Sequence, residues 1–204
     1  FSNALFLLII NLSGCNKMRD YYEITVAGLK RRLPLCPINE ELYIAAFVLF
    51  GDVELTVACA RELIKRAPEF DVMITAESKG IPLVYEMAKQ MGMNKYLLAR
   101  KMAKLYMRDV VSVELQSITT AKKQVLYIDR SDMEYMKGKR VLIVDDVIST
   151  GESVRAVEKL VKESGGIIAG KMTILAEGDA YKRDDIIYLE RLPLFNKYGE
   201  PIEG

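Results

Sequence analysis

The stretch Val141-Leu142-Ile143-Val144-Asp145-Asp146 does most to limit what this chain can fold into. Four apolar, mostly β-branched residues run without polar alternation, the pattern of a strand covered on both faces in a parallel sheet. Two adjacent carboxylates follow. After the small and hydroxyl residues Ser149, Thr150 and Gly151, the segment from Ser153 to Glu163 puts Val154, Val157, Leu160 and Val161 on one helical face, and Gly165-Gly166 stops it. The spacing predicts a strand, an acidic pair, a hydroxyl-rich turn and a helix. A strand buried on both sides needs helices above and below its sheet, so the predicted class is α/β.

The turn has a chemical consequence. Free backbone N–H groups and the positive end of a helix dipole make it an anion site. The dipole supplies only ~0.3–2 kcal/mol, so several N–H bonds must act together to hold a phosphate. The carboxylates of Asp145 and Asp146 would repel that phosphate, and make sense if they face sugar hydroxyls or a hydrated Mg²⁺. The plainer alternative is a buried strand whose Asp146 caps the following helix. A second unit of the same kind lies upstream: Asp71 to Thr75 as a strand, Ala76-Glu77-Ser78-Lys79-Gly80 as a turn, and Ile81 to Gln90 as a helix ended by Gly92. Phosphate, sugar diol and metal within one turn's reach describe a phosphorylated ribose.

Val141 to Ser153 resembles the 5-phosphoribosyl-1-pyrophosphate (PRPP) signature of the type I phosphoribosyltransferases, and the resemblance runs from Asp71 to Glu177. It implies a parallel, Rossmann-like sheet flanked by helices, with a small N-terminal hood and a flexible lid loop. It implies that Asp145 and Asp146 bind the ribose hydroxyls and, through water, Mg²⁺. Ile148, Ser149, Thr150, Gly151, Glu152 and Ser153 would wrap the 5′-phosphate; Glu152 departs from the glycine common there. The upstream turn resembles the family's pyrophosphate loop, with Glu77, Ser78, Lys79 and Gly80 as its residues and Lys79 standing where arginine is usual. Lysine keeps the charge but lacks the bidentate fork.

Arg100-Lys101-Met102-Ala103-Lys104-Leu105 resembles a stretch of adenine phosphoribosyltransferases, which implies that Arg100, Lys101 and Lys104 meet the pyrophosphate and that Lys79, Arg100 and Lys101 are catalytic. The residues from Ser117 to Gln124 look more like xanthine phosphoribosyltransferases. Hypoxanthine–guanine relatives carry an aspartate where this chain has Ser149, so the resemblance points to adenine first and xanthine next. Glu114 in the lid is a candidate base-binding carboxylate. PRPP and a purine base are the implied partners, with a homodimer as the expected assembly. A PRPP-sensing regulator of purine-repressor type and an orotate-type enzyme are the competing readings. The first is disfavoured because no basic arm precedes Tyr21, the second by the Arg-Lys pair at the lid entrance.

The rest of the chain is less specific. Residues 1–17 form an apolar extension, read first as upstream sequence foreign to the protein, next as an added strand or helix and last as a lipoprotein leader; its run Ala4 to Ile10 is too short to span a bilayer. Residues 18–51 are the hood, with strands or short amphipathic pieces expected over Tyr22–Leu29 and Leu42–Leu49, separated by Pro34, Pro37 and Asn39. Residues 52–192 are the core, starting with a helix from Asp52 to Ala67 that repeats Val53, Val57, Ala60 and Ile64. Asp129 to Gly138 reads as a polar turn, and the tail 193–204 as a segment bordering the base pocket. The chain has no histidine, which removes Ser-His triads and histidine metal sites. Cys15, Cys36 and Cys59 make no CxxC and no disulfide framework, which fits a reducing cytoplasm. A net charge of +1 gives no basic field for nucleic acid, and no stretch demands a membrane.

Overall fold

The computed structural model describes residues 19–116 and 123–202. The expectations for residues 1–17 and for 117–122 in the lid lie outside these.

The hood opens with β1 (Tyr21–Val26) and β2 (Leu29–Pro37), an antiparallel hairpin closed by Ala27 and Gly28. Both turn residues have positive φ, 51° and 80°, as a two-residue turn matched to strand twist requires. The segment expected over Tyr22–Leu29 is therefore β1 and its turn, and β2 is a further strand beyond it. Pro34 and Pro37, read as separators, lie within β2. Pro34 stands where β2 leaves β1 and passes to β3 (Leu42–Ala45), a place where a missing N–H does least harm to the ladder.

Helix α1 (Val53–Ile64) follows, its N-cap Asp52 accepting from the Leu55 N–H at 3.1 Å. Its buried face is Leu55, Cys59 and Leu63, while Val53 is 72% exposed. Of the inferred stripe Val53, Val57, Ala60 and Ile64, Ala60 is fully buried and Ile64 packs against the core, while Val53 lies off the buried face. Arg31 on β2 grips Asp52 at 2.6 and 3.0 Å and Glu54 at 2.8 Å, fastening the hood to the start of α1.

The core strands are β4 (Val72–Ala76), β5 (Leu97–Ala99), β8 (Arg140–Ile148), β9 (Ile167–Glu177) and β10 (Ile187–Leu192). Between them come α2 (Ile81–Gln90), the antiparallel ribbon β6 (Val110–Gln116) and β7 (Lys123–Asp129), α3 (Arg130–Met136) and α4 (Glu152–Glu163). The five core strands are all parallel, in the order β10-β9-β8-β4-β5. The fold class is the expected one. Side chains of β8 alternate between two cores: Leu142 and Val144 join α1, α2 and the hood, Val141 and Ile143 join α4 and the ribbon.

Two further expectations change, and the lid and the tail gain detail. The segment Asp129–Gly138 holds α3, with Met136 fully buried. Strand β8 does not stop at the acidic pair but runs on to Ile148, because β9 continues to pair with it as far as Ile148 and Ala176. The described part of the lid is a ribbon packed on α4, with Val113, Leu126 and Ile128 buried and Lys159 Nζ donating to the Glu114 carbonyl at 2.7 Å. The tail forms β11 (Leu194–Asn196) and β12 (Pro201–Ile202), which complete the hood sheet in the order β1-β2-β3-β11-β12.

Phe195 is the pin of that last arrangement, fully buried with its ring 4.9 Å from that of Tyr22. Phe195→Ala is expected to destabilise the protein by ~3–5 kcal/mol, read as a lower denaturant midpoint at constant slope. A change under ~1 kcal/mol would show that the hood does not depend on the tail.

Candidate functional site

Chain order reverses across the sheet between β4 and β8: from β4 the chain moves outward to β5, and from β8 it moves the other way to β9 and β10. Such a switch point leaves a crevice beyond the carboxyl ends of the two strands. The turn after β4 is Glu77 to Gly80 and the turn after β8 is Ser149 to Gly151, so the two turns singled out in the sequence open on the same crevice. They also touch. A Cβ built on Gly80 would lie 3.2 Å from Asp145 Oδ1 and 2.4 Å from Thr75 Oγ1, a fully buried side chain.

The φ of Gly80 is an ordinary −71°, so close approach alone excludes a side chain there. Gly80→Ala is expected to cost ~1–3 kcal/mol of stability by overpacking. It should also displace Asp145, lowering affinity for whatever the carboxylate holds by at least tenfold in calorimetry. A fully stable variant with unchanged affinity would show that the contact yields.

The cleft at this crevice has a volume of about 280 Å³ and is walled by Glu77, Ser78, Lys79 and Lys101 on one side and by Asp145, Asp146, Ser149 and Ser153 on the other. Glu177, at the end of β9, closes it. Asp146 is 3% exposed, and its Oδ2 lies 3.3 Å from Lys79 Nζ without a hydrogen bond, an ion pair whose geometry is unaligned. Lys79 Nζ also reaches the Phe47 carbonyl at 3.5 Å. Asp145 Oδ1 accepts the Asp146 N–H at 2.9 Å. Asp146 does not cap α4: the N-cap is Gly151, with φ 76° and no side-chain cap bond.

Other sequence-predicted residues are placed differently. Glu77 accepts from Arg100 Nη1 at 3.1 Å and the Lys101 N–H at 3.0 Å, with Lys104 Nζ at 3.8 Å. Its carboxylate is occupied by the chain's own cations and ties the first turn to residues 100–104; the peptide between Glu77 and Ser78 is cis. Arg100 and Lys104 stand behind Glu77 and do not line the cleft, whereas Lys101 does. Ile148 ends β8 with its side chain in the core, not in the loop. Thr150 faces a neighbouring cavity of about 430 Å³, its carbonyl accepting from Arg155 Nη1 at 3.0 Å. Glu152 is the first residue of α4. Glu114, on β6, is absent from the cleft wall.

Three residues were not anticipated. Arg183 lies against Gly151, its Nη1 2.2 Å from where a Cβ would be. Asp185 fixes it at 2.8 and 2.9 Å, and the buried Lys171 bonds Asp185 and, at 2.8 Å, Glu158 on α4. Arg155 and Arg183 thus hold the second turn, and Glu177 enters the cleft. Only Glu177 left a trace in the sequence: like Asp145, it is a carboxylate ending an apolar run, Ile174 to Ala176.

Burial, reinforced by the Asp146 charge, pushes the Asp145 carboxyl well above the ordinary carboxylate range. Burial raises Glu177 too, against the pull of the Ser149 hydroxyl and the Lys79 ammonium. Glu77 is held below its usual value by the Lys101 N–H and then by Arg100. In metal-free, ligand-free protein the folded state therefore keeps protons on Asp145 and Glu177 that the unfolded chain releases near pH ~4. More protons bound folded than unfolded means that stability falls as pH rises from there through the raised folded values. With no histidine, little else titrates between pH ~5 and ~8. The melting temperature in chelator is expected to drop across that interval, and Asp145→Asn to flatten the drop. A wild-type midpoint that rises with pH contradicts this.

Among the described residues no group of three or more His, Cys, Asp and Glu side chains is placed to hold a metal, and no helix is long and apolar enough to cross a membrane.

Comparison with known proteins agrees with this geometry. An adenine phosphoribosyltransferase of Petrotoga mobilis is 36% identical over 121 residues, 57% of this chain and 62% of that protein. An orotate phosphoribosyltransferase of Caldanaerobacter subterraneus is 29% identical over 143 residues, 69% of this chain and 64% of that one. The chain thus spans a little under two thirds of each. Among solved structures, adenine phosphoribosyltransferase from Thermoanaerobacter pseudethanolicus superposes with a TM-score of 0.58 at 23% identity, covering 84% of this chain and 95% of that one, a likeness of fold. The family model described as a phosphoribosyl transferase domain matches residues 57–195. With that match taking in both turns, the acidic pair and all five parallel strands, the chain belongs to the phosphoribosyl transferase domain family.

Proposed function

We propose that the protein is a purine phosphoribosyltransferase that moves 5-phosphoribose from PRPP to a purine base, adenine before xanthine, and releases pyrophosphate. The observation that carries this reading is the meeting of two anion-binding turns at one switch point, with the acidic pair between them. A ligand with phosphates at both ends of a sugar spans such a cleft, and few other metabolites do.

In the reaction a bond forms between C1 of the ribose and a ring nitrogen of the base, while the bond from C1 to the pyrophosphate oxygen breaks. Positive charge grows on the sugar and negative charge on the leaving group. Lys79 and Lys101, at the first turn, stabilise the leaving pyrophosphate, and Arg100 and Lys104 add to the field from behind Glu77. Asp145 and Asp146 accept hydrogen bonds from the ribose hydroxyls and hold C1 in line with the base. The N–H groups opening α4, with Ser153, hold the 5′-phosphate.

The site fits Mg²⁺: a buried carboxylate oxygen on Asp146 lacks a hydrogen-bond partner, and an ion that keeps several waters and binds substrate phosphates needs no group of three or more protein ligands. Asp145 and Asp146 would hold it through water. Bound there, it neutralises charge on the pyrophosphate.

The test is to supply PRPP, Mg²⁺ and each base in turn and follow pyrophosphate release. Adenine is expected to turn over fastest and xanthine next. Turnover with orotate and no purine would overturn the purine assignment, and turnover with no base would overturn the enzyme reading.

A further inference from the structure

We infer that Arg183 is a positioning residue for the 5′-phosphate turn, aimed at it by Asp185 and the buried Lys171, so that a lysine outside the cleft governs the grip on the sugar phosphate. This rests on the phosphoribosyltransferase reading and adds to it residues that touch no substrate.

The contacts form a circuit that leaves the second turn and returns to it. Arg183 commits Nε and Nη2 to the two oxygens of Asp185, at 2.8 and 2.9 Å, which leaves Nη1 as the remaining corner of the fork. That corner rests on Gly151, so closely that no Cβ could stand between them. Lys171, on β9, bonds Asp185 and, at 2.8 Å, Glu158 of α4. Three residues nearer the start of the same helix, Arg155 donates from Nη1 to the Thr150 carbonyl at 3.0 Å. None of Arg155, Glu158, Lys171, Arg183 and Asp185 lines the cleft; Arg155 and Arg183 face the neighbouring cavity of about 430 Å³.

Held from that side, the turn has its donors aimed. A trans peptide is planar, with its C=O and N–H opposed. By taking the Thr150 carbonyl, Arg155 directs the Gly151 N–H away from the guanidinium groups. Arg183 blocks the glycine, which has no Cβ to limit it, from swinging that peptide round. Backbone donors stabilise an anion best when they are oriented before it arrives. Packing alone does not account for the circuit. A buried ion pair is weak support for stability, and an apolar side chain at position 171 would fill its place on β9 as well. What the charges add is a fixed direction for the Arg183 fork. Arg183 foremost holds the Asp185 carboxyl well below the ordinary carboxylate range, so the brace stays charged at any working pH.

The experiment compares wild type with Arg183→Gln, Arg183→Lys and Lys171→Met. Calorimetry gives the affinities for ribose-5-phosphate and for pyrophosphate, and melting curves establish that each variant is folded. Arg183→Gln and Lys171→Met are each expected to weaken ribose-5-phosphate about 10-fold and to leave pyrophosphate, held at the first turn, within about twofold. In turnover the KM for PRPP should rise by a similar factor and kcat should change less, because the 5′-phosphate is remote from the bond that breaks. Arg183→Lys keeps the charge without the fork, and should stay at least about fivefold weaker than wild type. Unchanged ribose-5-phosphate affinity in Arg183→Gln, equal losses for the two ligands, or full recovery in Arg183→Lys each overturns the inference and leaves the enzyme assignment standing. Should Lys171→Met fail to fold, the two Arg183 variants decide the matter, since that side chain is partly exposed. A wild type that binds neither ribose-5-phosphate nor PRPP removes both readings.

Discussion

The double substitution Asp145→Asn with Asp146→Asn is expected to lower PRPP affinity by ~10²–10⁴-fold, since two charge-assisted hydrogen bonds at ~1.5–3 kcal/mol each are lost. The fold should survive, and the apo protein should gain stability at neutral pH. At neutral pH the Asp146 charge lies deep beside the carboxyl of Asp145, whose proton it helps to retain, so replacing the coupled pair with neutral amides relieves the ligand-free protein. The two effects have opposite signs, which separates a ligand-binding role from a structural one. Calorimetry with PRPP and a thermal melt without it read them independently. Unchanged affinity removes the diol role, and a collapsed melt shows that the pair holds the sheet together.

Lys79→Ala is the second large effect. The ammonium is 3.3 Å from Asp146 and lines the cleft beside the first turn. Losing one preorganised cation at a developing negative charge is expected to lower kcat ~10²–10³-fold. Pyrophosphate affinity should fall more than ribose-5-phosphate affinity, because Lys79 belongs to the turn after β4 and the 5′-phosphate to the turn after β8. Equal losses for the two ligands would move Lys79 away from the leaving-group end. Lys79→Arg restores charge but not length or shape, and partial recovery is the expected result.

Most of the core could be read from the residues because its signals are local. Val141 to Val144 is a buried strand from its own composition, and α4 shows its apolar face and its glycine stop within twelve residues. The hood was harder. Ala27-Gly28 is a weaker hairpin signal than Asn-Gly, so the turn was passed over and β2 missed, and Pro34 looked like a break when the strand was only changing partners. The face of α1 went astray because Val53 is apolar yet exposed, and which side of a short helix is covered depends on what the sheet places beneath it. Glu77 looked like a ligand-binding residue until its three partners, 23 to 27 positions onward, were brought to it.

The sequence by itself determined the parts of the site that lie within single turns: a carboxylate pair after a buried strand, a hydroxyl turn opening a helix, and a lysine turn opening another. These follow from local rules, since strand burial, helix starts and anion-binding turns each need only a dozen neighbouring residues. The tertiary structure decided how those parts combine. Only the order of parallel strands makes β4 and β8 neighbours, although some seventy residues separate them, and so brings the two turns to one crevice. Only the register of β9 against β8 delivers Glu177 to the cleft, and only the return of the tail brings β11 into the hood sheet beside β3. The physical reason is that hydrogen-bonded strand pairing acts between residues remote in sequence, and nothing local to either partner records which strand it will meet.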